Sequence, residues 1–95
     1  RPMPDEEQSL AQLRERIAKT IAYLDEAAPA AFEGREDAEI VLKFPNFERQ
    51  FTGLSLITEF TLPNFFFHVT TAYGLLRMKG VAIGKMDYLA GAQAQ

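Results

Sequence analysis

At 95 residues and 10.7 kDa the chain is long enough for one small domain and too short for two. Its 47% hydrophobic and 24% charged residues are those of a folded protein, and a net charge of −3 gives no electrostatic case for nucleic acid or an anionic membrane. Zero cysteines exclude a disulfide scaffold, a thiol nucleophile and thiolate zinc sites, and a single histidine excludes a self-contained multi-histidine metal site.

Neither end resembles a signal peptide, because no basic stretch is followed by an apolar run near the N-terminus. No window approaches 18 uninterrupted apolar residues, so no membrane span is expected and a cytoplasmic protein is the default.

The first element is an amphipathic helix over 6–27. Leu10, Leu13, Ile17, Ile21 and Leu24 recur at spacings of three and four and form one stripe. Asp5 is placed to cap it, with Gln8 closing a capping box, and Pro29 ends the pattern. The polar face mixes signs, which argues for packing within a bundle and against a membrane surface.

Residues 28–38 form a charged loop. A hairpin over 39–52 follows, with Ile40–Phe44 and Phe47–Phe51 flanking Pro45-Asn46. Proline's fixed φ forbids a type I′ turn at its position, so a slightly longer connection is expected. Ile40, Leu42 and Phe44 alternate with Val41 and Lys43, which turns one face of the hairpin toward a core near Phe51.

A short helix over 53–62 comes next. Pro63 disfavours helical dihedrals at Leu62, so a kink or break is expected there. The core helix spans 64–79 and is apolar on nearly every side, as in a central helix or one that meets another subunit. Gly80 is placed as its left-handed stop, with Val81 making the Schellman contact. The remaining residues, 80–95, read as a C-terminal tail. Seven of the eight phenylalanines lie between Phe44 and Phe67, which centres the core in that region.

Chemistry is sparse. His68 lies beside the main apolar stripe of the core helix, so a buried, neutral imidazole is expected, hydrogen-bonded to Tyr73, Thr71, a carbonyl or water. No second metal donor stands one turn on, because Ala72 occupies that position. Glu59 reaches His68 only if the chain folds back at Pro63. Ser9 and Ser55 lack a base at fixed spacing, and Glu36-Asp37 is a solvated pair. Gly80–Lys85 is one residue short of a phosphate loop, lacks Ser or Thr after the lysine, and follows a helix where a strand is required.

The stretch LPNFFFHVTTAYGLLRMKGVAIGKMDYL (62–89), with LRERIAKTIAYL and the FTG that ends the hairpin, resembles a bacterial family of uncharacterised domains related to the DinB/YfiT-like helical bundles. The resemblance covers essentially the whole chain. It implies a mainly α fold, a four-helix bundle with a short inserted β-hairpin, of which 1–95 is a single-domain C-terminal portion. DinB-like relatives hold a divalent metal such as zinc or nickel with three histidines, two of them four residues apart on a late helix. His68 matches the first of that pair, Ala72 replaces the second, and the third lies on a helix this chain lacks. The resemblance therefore implies a vestigial metal position or pocket at His68 and Tyr73, with no cofactor held by this chain alone.

Three readings follow. The first is a DinB-like bundle domain of unknown biochemical function without a complete metal site. The second is a metal-dependent enzyme finished by missing helices, with His68 as ligand or acid/base. The third is a non-catalytic homodimeric interaction module. In each the apolar core helix calls for a partner, either the chain's own missing N-terminal helices or a second copy.

Overall fold

The computed structural model describes residues 2–91. They form two compact units, one up to Gly34 and one from Arg35 onward. The fold is mainly helical with one small antiparallel sheet. Among the described residues no helix is long and apolar enough to cross a membrane.

In the first unit, helix α1 spans Leu10–Asp25 and a 3-10 turn spans Pro29–Phe32. The helix starts later than its periodicity predicts, because Ser9 and not Asp5 is the cap. Ser9 is extended at φ −142°, and its hydroxyl accepts the Gln12 N–H at 3.1 Å. Asp5 is engaged elsewhere: with Glu7 it binds the Arg16 guanidinium, at 2.8 and 2.9 Å. Arg16 also donates to the Pro4 carbonyl at 3.2 Å, so residues 2–8 lie along the helix as a strap. Met3, Glu7, Arg16 and Thr20 are half-buried by it, while the Leu10–Leu24 stripe stays exposed.

The second unit opens with strands β1 (Glu39–Lys43) and β2 (Glu48–Thr52). They pair antiparallel from Glu39↔Thr52 to Lys43↔Glu48, and this register sets Ile40 against Phe51. Four residues connect them. The Phe44 N–H donates to the Phe47 carbonyl at 2.8 Å and the two rings stack at 4.7 Å. Alternation holds along β1: Ile40 and Leu42 are half-buried, and their neighbours are exposed. Phe51, 6% exposed, is the buried hydrophobic residue of the described structure. Its ring lies 5.9 Å from Phe60, which in turn lies 6.2 Å from Phe44.

A long helical stretch leaves β2 directly. Thr52 and Ser55 cap it reciprocally: the Thr52 hydroxyl accepts the Ser55 N–H at 3.1 Å, and the Thr52 N–H reaches the Ser55 hydroxyl at 2.8 Å. Helix α2 (Gly53–Ser55) passes into a π-helical segment, Leu56–Thr61, and then into α3, Leu62–Met78. No break occurs at Pro63, which corrects the boundary expected at 62. Leu62 keeps helical dihedrals, φ −66° and ψ −48°. A proline in a regular helix clashes with the carbonyl four residues back and deprives it of a donor. Here the wider π turn comes just before it, with the Leu62 N–H donating to Ile57, five residues back.

Helix α3 stops in a Schellman motif. Gly80, at φ +91°, donates to Arg77 at 3.0 Å and Val81 donates to Leu76 at 3.0 Å. A second correction concerns the segment after it. Lys85–Ala90 is not a tail but a short helix, α4, with the Asp87 carboxylate accepting the Gly84 N–H at 2.8 Å. The last residues of the tail expected over 80–95, 92–95, lie outside the described residues.

Candidate functional site

The residues that sequence analysis singles out sit on α3, but not together. His68 and Tyr73 are five positions apart, about 140° around the helix, so their side chains leave on different sides. His68 is exposed, and its imidazole makes no hydrogen bond to another described residue. Its ring meets the edge of Phe67 at 5.4 Å. The expectation is a buried imidazole bonded to Tyr73, Thr71, a carbonyl or water; among the described residues the ring is exposed and meets neither Tyr73 nor Thr71. No element among the described residues covers this side of α3.

Glu59 stays remote. Because the helix runs through Pro63, nine residues separate it from His68, about 13 Å along the axis. Among the described residues no group of three or more His, Cys, Asp or Glu side chains is placed to hold a metal. One imidazole followed by Ala72 at the next turn does not fit the divalent ion that the DinB resemblance implies.

The serines act in the backbone. Ser9 and Ser55 are helix caps, with no base beside either. Gly80 ends α3 and Gly84 precedes α4, so the loop between them serves two helix termini.

Tyr73 has a different neighbour. Its ring meets Tyr88 of α4 edge-to-face, with centroids 5.1 Å apart and planes at 85°. The two half-buried phenols line a groove of about 270 Å³ between α3 and α4, together with Thr70, Gly74 and Arg77 from α3 and Gly84 and Lys85 from the start of α4. Sequence reasoning missed this groove because it missed α4. The available signal was Gly84 followed at the third position by Asp87, a helix start.

On the strap, hydrogen bonding to the backbone at Glu7 itself and then to Arg16 holds the Glu7 carboxyl below its ordinary value. Arg16 is correspondingly raised, first by Glu7 and then by Asp5. Two carboxylates share one guanidinium in this cluster, and it ties the strap to α1.

Comparison with known proteins places the chain. A family model described as "Domain of unknown function (DUF1993)" matches residues 1–89, and the chain belongs to that family. It is also similar to the crystal structure of a DinB family member protein from Shewanella denitrificans, at 41% identity and a TM-score of 0.77. The match covers 94% of this chain and 49% of the other, so the chain spans about half the length of that relative. No curated protein matches. The protein is therefore a member of a domain family with no assigned biochemical function, and it is similar in structure to about half of a DinB family member protein.

Proposed function

We propose that this chain is the C-terminal portion of a DinB-like four-helix bundle, and that its apolar helix faces are the surfaces on which the remaining helices pack. The observation that carries this reading is the exposure of the side chains that ought to form a core. On α1 the entire Leu10, Leu13, Ile17, Ile21 and Leu24 stripe is exposed, from 45% at Leu13 to 72% at Leu10. On α3, Phe65, Phe66, Phe67, Leu75, Leu76 and Met78 are all exposed. A soluble domain rarely leaves contiguous apolar faces of this kind open.

The strap does not close these faces. It covers the Arg16–Thr20 flank of α1 and leaves the aliphatic stripe free, so it is no substitute for a packed helix. Covering five half-exposed aliphatic side chains contributes several kcal/mol, about 1 kcal/mol each at 25 cal/mol/Å². The length of the Shewanella denitrificans relative, about twice this chain, supports further helices as the occupant.

On this reading the side of α3 that carries His68 faces the added helices, and any reaction depends on residues they bring. Light scattering tests it: the 95-residue chain alone should associate, and Ile17→Asp should lower the associated mass.

A further inference from the structure

Independently of which helices cover α1, the groove between α3 and α4 has a chemistry of its own. Its walls are mostly carbon: the Tyr73 and Tyr88 rings and the backbone of Gly74 and Gly84. A Cβ added to Gly74 would meet nothing within 4 Å, so the glycine leaves an open notch between the helices. Two cations line it, Arg77 from α3 and Lys85 from α4.

Neither cation meets a carboxylate within ion-pair distance among the described residues. Arg77 and Lys85 share this with other surface cations of the chain, and what sets them apart is that both line the same groove. The acid closest in sequence to Lys85, Asp87, is occupied at the Gly84 N–H. Two unpaired cations beside an aromatic pair complement a small molecule with an anionic end and a flat apolar body. The volume, about 270 Å³, lies at the small end of ligand pockets and suits a single ring with one acidic substituent.

We propose that this groove binds a small aromatic anion, a carboxylate or phosphate ester, with its charge on Arg77 and Lys85 and its ring against Tyr73 and Tyr88. Thr70 offers a hydroxyl at the same wall.

The test is a titration of the chain with benzoate, phenyl phosphate and inorganic phosphate, followed by the aromatic NMR signals of Tyr73 and Tyr88, with Tyr23 as internal reference. Saturable shifts at Tyr73 and Tyr88 with either aromatic anion are expected, and their relative affinities identify carboxylate or phosphate as the favoured end. Arg77→Gln with Lys85→Gln, both exposed and free of structural bonds, should weaken binding by about tenfold or more, the loss of a charge-assisted hydrogen bond. Gly74→Leu should weaken it by filling the notch, with the Tyr73–Tyr88 contact still visible. No saturable shift, equal binding by the double variant, or inorganic phosphate acting as strongly as phenyl phosphate would each overturn the proposal.

Discussion

Gly53 lies directly beneath the carbonyl of Arg35: a Cβ at this position would overlap the carbonyl oxygen and stand 2.9 Å from the carbonyl carbon. The contact is backbone on backbone, and the Leu54 N–H donates to the neighbouring Glu36 carbonyl at 2.9 Å. The loop entering β1 is thus stitched to the first turn of the helix that leaves β2. Gly53→Ala should destabilise the second unit by about 2–3 kcal/mol, because neither backbone can yield. Denaturant unfolding checks this, and an unchanged midpoint would show that the loop is free to move away.

Phe51 anchors the hairpin. It pairs across the strands with Ile40, packs near Phe60, and carries the Arg49 guanidinium 4.7 Å above its ring. Phe51→Ala should cost about 3–5 kcal/mol, and Phe51→Asp at least as much, since the carboxylate would lose its water beside Ile40 and Phe60 and Arg49 would offset only part of that loss. A thermal transition unaltered by either change would mean that the hairpin does not pack on the helix.

The strap should respond to acid. The Glu7 carboxyl is held below its ordinary value by bonds made in the folded state. Its contribution is therefore fully present above the ordinary glutamate range and is lost as pH falls through the depressed value. Amide shifts of Met3 and of residues 5–8 followed from neutral to acidic pH should move with Glu7, and Arg16→Gln should move that step upward toward the ordinary glutamate range. Shifts that are flat in the native chain would contradict the strap.

Metal should not define this chain. Dialysis against zinc or nickel should leave no stoichiometric ion, and His68→Ala should not change the amount retained, because one imidazole lacks further donors among the described residues. Stoichiometric metal lost on His68→Ala would reverse this.

What could be read in the sequence followed the strength of local rules. The Schellman stop at Gly80 and the Ile40-Leu42 alternation are set by neighbouring residues, and both were legible. The cap of α1 was misplaced because Asp5 and Ser9 are both competent, and a distant residue, Arg16, claims Asp5. Of the kink or break expected at Pro63, the break is absent for a subtler reason: a π turn, set by hydrogen-bond register and not by residue type, precedes the proline. Burial of His68 was inferred from the apolarity of its helix, yet apolarity says only that a face wants a partner. The Tyr73–Tyr88 groove depended on a helix of six residues, too short to announce itself by periodicity.

The central claim is that the exposed stripes of α1 and α3 are packing faces. Multi-angle light scattering of the 95-residue chain tests it most directly. The account predicts a mass above 10.7 kDa, reduced when Ile17→Asp interrupts the α1 stripe. A well-dispersed, cooperatively folded monomer of 10.7 kDa, unaffected by that substitution, would contradict it.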